Sequence, residues 1–256
     1  MIILDSGLGG ISVVRALRRA APELTLTYVA DTAGFPYGSR DTADINARAE
    51  RMVHALTAQM PDNPVVLACN TLSTLCLEPL RAAFPTHFVG TVPAIKTAAQ
   101  QSITRRFTLL ATPNTASSDY SNALIAQFAG DCVVDSYGAP NLAAMAEAIM
   151  LGETMDDETL RAEMGPAFFN DARGKTDSIV LGCTHYPLIS AVLARLAPWP
   201  VTWVDSSEAI ARRALSLPHT PPVRSMAYVT GKEDVARYRR FFTREGFADM
   251  AVLALS

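Results

Sequence analysis

Four apolar runs, each ending in small polar residues, set the reading of this chain. Residues 1–4 lead into Asp5-Ser6-Gly7-Leu8-Gly9-Gly10, and residues 65–68 into Cys69-Asn70-Thr71. Residues 107–111 lead into Thr112-Pro113-Asn114-Thr115, and residues 179–182 into Cys183-Thr184-His185-Tyr186-Pro187. Short apolar runs bounded by turn residues predict buried strands. Further strands are predicted over residues 24–30, ending at Asp31, and over 88–93, 132–135, 201–205 and 226–230. Between them the apolar spacing becomes helical. Ile11, Val14 and Leu17 face one way, with Arg15, Arg18 and Arg19 opposite. Ile45, Ala49, Met52, Val53, Leu56 and Met60 predict a long amphipathic helix. Other helices are expected over 72–84, around Leu124 and Phe128, around Leu142 and Ile149, from Leu160 to Phe168, through Leu188 and Leu196, and over 235–242.

The order of features repeats. An opening strand and turn are followed by a cysteine strand and then by a further strand. Gly90 follows Cys69 by 21 residues, and Asp205 follows Cys183 by 22. We read two pseudo-symmetric α/β domains, each a mainly parallel sheet flanked by helices. Residues 1–93 with 206–256 form the first domain, because the tail is expected to pack back on the first half; residues 94–205 form the second. Ligands in such sheets bind outside the carboxyl ends of the strands. Asp5, Cys69 and Cys183 all lie at such ends.

Composition narrows the function. The formal net charge is −3, with no basic stripe interleaved with aromatics, so neither nucleic acid nor an acidic membrane surface is a natural partner. No apolar run reaches the roughly 18 residues of a membrane span. The opening residues show no signal-peptide pattern, and four cysteines are too few for a disulfide scaffold, so a reduced, cytoplasmic setting is expected. Cys76 and Cys132 read as small core residues.

The other two cysteines suggest chemistry. A thiolate is a good base, and its ordinary pKa of about 8.5 leaves a usable fraction ionised near neutrality. One thiolate can remove a proton from one face of a stereocentre while an opposite thiol returns one to the other face. That inverts a chiral carbon with no cofactor. His185, placed on the same strand face two residues from Cys183, is the acid–base partner expected there, and Asp5 the one expected for Cys69. Zinc held by the cysteines and His185 lacks the usual ligand spacing, so no metal is expected. A Cys183–His185 hydrolase dyad leaves Cys69 without a role. Pyridoxal phosphate would need a lysine in a phosphate-cradling context, and Lys96, Lys175 and Lys232 have none. The Gly7–Gly10 turn is not a dinucleotide fingerprint, since Ser12 stands at the third glycine position. Its N–H groups suit a small anion such as a carboxylate, or the glycines serve packing alone. The loop Thr32-Ala33-Gly34-Phe35-Pro36-Tyr37-Gly38-Ser39 carries aromatic rings in a turn-rich stretch, which suits a substrate wall.

Five motifs taken together resemble the glutamate racemases of the aspartate/glutamate racemase superfamily. They are Asp5–Gly10, Asp31-Thr32 with Pro36-Tyr37-Gly38, Ala68-Cys69-Asn70-Thr71, Leu110-Ala111-Thr112-Pro113, and Gly182-Cys183-Thr184-His185-Tyr186-Pro187. The resemblance implies an active site between the two domains and a cofactor-independent two-base mechanism. Cys69 would take the α-proton of D-glutamate and Cys183 that of L-glutamate, assisted by Asp5 and His185. Ser6, Pro36, Tyr37, Gly38, Ser39, Asn70, Thr71 and Thr184 would bind the substrate. It also implies a homodimer and a supply of D-glutamate for peptidoglycan. Aspartate or another amino acid remains the alternative substrate, and an amino-acid-binding relative the alternative class. Many members carry a glutamate in the second half that tunes the histidine; the stretch Asp135-Ser136-Tyr137-Gly138-Ala139-Pro140 supplies none.

Overall fold

The computed structural model describes residues 1–255 and divides them into two compact units, Met1–Thr91 with the segment from Ser207 onward, and Val92–Ser206. In chain order the strands are β1 (Ile2–Asp5), β2 (Thr27–Ala30), β3 (Val65–Leu67) and β4 (Phe88–Gly90), then β5 (Arg106–Ala111) and β6 (Val133–Gly138). A small antiparallel hairpin follows, β7 (Asn170–Asp171) with β8 (Gly174–Lys175). The series ends with β9 (Ser178–Gly182), β10 (Thr202–Val204), β11 (Met226–Val229) and β12 (Asp249–Val252).

The first unit holds a parallel sheet in the order β12-β11-β2-β1-β3-β4. The second holds a parallel sheet in the order β10-β9-β5-β6. Set β1 against β5, β2 against β6, β3 against β9 and β4 against β10, and the two orders coincide. The repeat read from the motif spacing is therefore a repeat of topology. The tail extends only the first sheet, pairing β11 along β2.

Burial explains why the strands read so plainly. Every residue of β1, β2, β3, β5 and β9 is buried, because helices cover both faces of a parallel sheet. Between β1 and β2, the helix Ile11–Ala20 buries Ile11, Val14 and Leu17 and leaves Arg18 and Arg19 in its last turn, where cations complement the helix dipole. The long helix is Thr42–Thr57, capped by the Asp41 carboxylate accepting from the N–H groups of Ala43 and Asp44. It stops before Met60. The helix after Cys69 begins two residues earlier than its apolar spacing indicates, at Asn70.

Two core assignments part ways. Cys76 is buried, and burial pushes its thiol up to about 12, so it is inert filling. Cys132 is only half-buried beside Asp131, because it precedes β6, an edge strand with half-exposed positions.

Gly182, the last residue of β9, has no room for a side chain. A Cβ there would lie 2.7 Å from Leu109 Cδ1 and 2.9 Å from Ala111 Cβ on β5. Gly182→Ala is expected to cost about 1–3 kcal/mol by overpacking and to lower the melting temperature by on the order of 5 °C. Calorimetry checks this.

Candidate active site

In the first unit, the turn after β1 is organised around Asp5. Its carboxylate is fully buried and accepts from Ser6 N–H at 2.7 Å, Gly10 N–H at 2.6 Å and the Tyr28 hydroxyl at 3.3 Å. The anion held by the glycine-rich turn is thus the chain's own side chain. The Gly10 N–H, one of the donors that suit a small anion, is taken by this carboxyl group. Gly10 also serves packing. A Cβ on it would lie 2.9 Å from Ala68 Cβ and 3.0 Å from the Tyr28 hydroxyl. The turn is thereby seated against the residue that precedes Cys69.

Cys69 leaves β3 in extended conformation and is the N-cap of the helix Asn70–Ala83. A helix N-terminus favours negative charge, which suits a thiolate. The helix is tied to the strand end: Ser73 Oγ and Thr91 Oγ1 both donate to the Leu67 carbonyl, at 2.9 and 2.7 Å. The Cys69 sulfur lies 3.8 Å from Ser6 Oγ, and that hydroxyl also lies 3.5 Å from Asp5 Oδ1. Asp5, Ser6 and Cys69 therefore form a chain of contacts with Ser6 in the middle.

Tyr37, Gly38 and Ser39 form a 3-10 turn, with Pro36 before it. Tyr37 is buried in the same hydrophobic cluster as Cys69, and its hydroxyl donates to Asp31. Asn70 and Thr71 are buried in the first helical turn after Cys69. Among the described residues the Asn70 Nδ2 finds no hydrogen-bond partner.

In the second unit, the turn after β9 holds Cys183, Thr184 and His185, all buried. His185 Nδ1 lies 3.7 Å from Cys183 Sγ. The partnership expected from the sequence is present, but strand alternation is not its cause. β9 ends at Gly182, and His185 has φ −71° and ψ −34°, a helical conformation entering the 3-10 helix Tyr186–Ile189. The turn folds the imidazole back onto the sulfur. Tyr186 pins it by donating to the Ala111 carbonyl at the end of β5, at 3.2 Å. The Thr184 hydroxyl, like Asn70 Nδ2, is buried with no hydrogen-bond partner among the described residues. Buried polar atoms of this kind are costly unless a ligand satisfies them.

The residue that sequence reading missed is Glu147. Its Oε2 lies 2.8 Å from His185 Nε2, and the two side chains are about equally buried. Glu147 sits on the helix Leu142–Met150, where it is the only charged residue among Leu, Ala, Met and Ile. A lone carboxylate on an otherwise apolar helix was the available signal, and it lies just beyond the stretch 135–140 where it was sought. Burial pushes the His185 imidazolium down, but the bonds to Cys183 and Glu147, with their charges, outweigh it and hold the group well above the usual histidine range. These two partners favour the charged imidazolium at His185.

Among the described residues no cluster of three or more His, Cys, Asp or Glu side chains is arranged to hold a metal ion. No helix among the described residues is long and apolar enough to cross a membrane.

The sequence profile of the Asp/Glu/Hydantoin racemase family matches residues 10–214. The chain belongs to that family. This racemase is 46% identical over 222 residues to the glutamate racemase of Rhizobium meliloti (strain 1021), a match covering 86% of the chain and 80% of the relative. Against the glutamate racemase of Sinorhizobium fredii it is 44% identical over 247 residues, 93% of the chain and 92% of the relative. Its fold overlays that of Escherichia coli glutamate racemase in complex with L-glutamate and the activator UDP-MurNAc-Ala. The TM-score is 0.92 at 34% identity, over 100% of this racemase and 98% of that chain.

Proposed function

We propose that this racemase interconverts L- and D-glutamate by two-base α-proton transfer between Cys69 and Cys183, without a cofactor. The observation that carries the reading is the equivalence of the two thiols. Each leaves the carboxyl end of the corresponding strand in two sheets of the same order, and each has its own polar partner. From L-glutamate, Cys183 as thiolate removes the α-proton while Cys69 as thiol delivers one to the opposite face. From D-glutamate the roles exchange. The His185 imidazolium steadies the thiolate at Cys183. At Cys69 the helix N-terminus does so, with Asp5 acting through Ser6. Asn70 and Thr184, whose buried polar atoms lack partners, bind the substrate with Ser6, Pro36, Tyr37, Gly38, Ser39 and Thr71. The names of the relatives favour glutamate.

Cys183, His185 and Glu147 also resemble the nucleophile, base and orienting acid of a thiol hydrolase. That second reading gives Cys69 no part, so a hydrolytic activity surviving Cys69→Ala would favour it.

The reading extends to a cytoplasmic homodimer whose D-glutamate feeds peptidoglycan. Sedimentation tests the dimer. The reaction is tested by incubating the protein, under reducing conditions, with L-glutamate in D₂O. Expected is loss of optical rotation together with loss of the α-proton signal. Exchange with aspartate alone would keep the mechanism and change the substrate. Exchange with neither would remove the proposal.

A further inference from the structure

Asp31 belongs to one of the motifs, yet the reaction above gives it no task. It directly follows β2 and is fully buried. Arg48, from the helix Thr42–Thr57, donates to both of its oxygens, Nε to Oδ2 at 2.5 Å and Nη2 to Oδ1 at 2.6 Å. The Tyr37 hydroxyl also donates to Oδ2, and Thr230, just past β11, donates to Oδ1 at 2.5 Å. Four donors from three separate segments thus converge on one carboxylate. Two of them form the planar, two-bonded arginine fork that lysine cannot reproduce.

The backbone of the loop runs directly over this pair. A Cβ on Gly34 would collide with Asp31 Oδ2 and would lie 2.5 Å from Arg48 Nε and 2.8 Å from the Tyr37 ring. Arg40 closes the loop from outside, donating to the Gly34 carbonyl at 2.8 Å and to Asp44 at 2.7 Å. The segment containing Thr230 is fastened to the same loop by Gly231 N–H on Thr32 Oγ1 at 2.8 Å and Ala33 N–H on Thr230 Oγ1 at 3.0 Å. Tyr37 is the junction between this network and the reacting end of the unit, since it packs in the cluster that contains Cys69. Burial, the Asp31 charge and the Cys69 sulfur together keep its phenol protonated, so it stays a donor.

We propose that Asp31 and Arg48 are positioning residues for the reaction, a buried ion pair that sets Tyr37 and the following Gly38–Ser39 backbone in the geometry that receives a substrate carboxylate beside Cys69. The proposal rests on the racemase reading above. A substrate-binding loop gains affinity from being held in place before substrate arrives. The pair supplies that constraint from outside the contact surface, and Thr230 extends it to the C-terminal strands.

The test compares Arg48→Lys, Arg48→Ala, Tyr37→Phe and Thr230→Val with the unaltered enzyme, by racemisation kinetics in both directions and by circular dichroism. Tyr37→Phe removes one hydroxyl and keeps the ring, so it keeps the fold. It is expected to raise KM for both enantiomers by about tenfold, the size of one charge-assisted hydrogen bond, while kcat changes less than about threefold. Arg48→Ala should raise KM further, and Arg48→Lys should restore part of the loss. Thr230→Val should give the mildest increase. A purely structural role would reduce the amount of folded enzyme and leave KM unchanged. Wild-type KM and kcat in Tyr37→Phe and Arg48→Ala would overturn the proposal. An unaltered enzyme inert towards glutamate would instead overturn the racemase reading.

Discussion

With Cys183 replaced by serine, racemisation of L-glutamate should fall by about 10²- to 10⁴-fold, the usual contribution of a positioned acid or base. The alcohol is a far weaker acid than the thiol, so neither of its protonation states serves near neutral pH. The informative part is what survives. Cys69 keeps its strand end, its helix N-terminus and its Ser6 neighbour, none of which depends on Cys183. The variant should therefore still draw the α-proton from D-glutamate and exchange it with D₂O, returning D-glutamate labelled but not inverted. Cys69→Ser should show the mirror result, labelling L-glutamate alone. Proton NMR with chiral chromatography separates labelling from inversion. A single-base mechanism would label both enantiomers in one variant and neither in the other. Near-wild-type racemisation in either variant would end the two-thiol account.

The second large effect concerns Glu147. In Glu147→Gln, His185 loses the carboxylate and one charge-assisted hydrogen bond, worth about 1.5–3 kcal/mol. Burial then has less opposition, and the imidazolium falls back towards the neutral range. Turnover of L-glutamate should drop by about 10- to 100-fold on the alkaline side and less as the pH falls and protonation of the histidine becomes easier in both proteins. The alkaline limb of the kcat profile should move to lower pH, with KM nearly unchanged. Stability follows the same linkage. A folded-state pKa raised above its unfolded value gives stabilisation that is complete below about pH 6.5. It is lost as the pH rises through the folded value. The melting temperature of the wild type should accordingly decline on the alkaline side, and the variant should show less of that decline. Identical pH profiles in the two proteins would assign Glu147 to packing alone.

These two experiments rest on features that the sequence disclosed unequally. Parallel-sheet strands buried on both faces are near-continuous apolar runs, so the cysteine strands and their turns were legible. The motif order likewise disclosed the repeat, which proved to be a shared strand order. Side-chain partnerships across the fold left weaker marks. Glu147 and His185 are 38 residues apart and meet only because a helix packs on a turn. Arg48 is 17 residues from Asp31 and looked like any helical arginine. The Gly7–Gly10 turn has donors that suit an anion, but no local pattern says that Asp5 takes the one at Gly10. The β7–β8 hairpin is two residues per strand, too short for periodicity to register. It is held by Arg106, which pairs with Asp171 at 2.5 Å and contacts the Gly174 carbonyl at 2.8 Å.

The split of the first unit around the second has a consequence for how the protein comes into being. Residues 92–206 are contiguous and contain every strand of their own sheet, so during synthesis the Cys183 half can complete its core as soon as it emerges. The Cys69 half cannot. Its β2 edge stays open until β11 arrives, and Asp31 lacks its Thr230 donor until then. Bringing those ends together means closing a loop as long as a domain, although a folded insert shortens the gap the free chain must span. The two thiols, equivalent in topology, thus mature at different times, and the contact that locks the loop on the Cys69 side waits for the C-terminal segment.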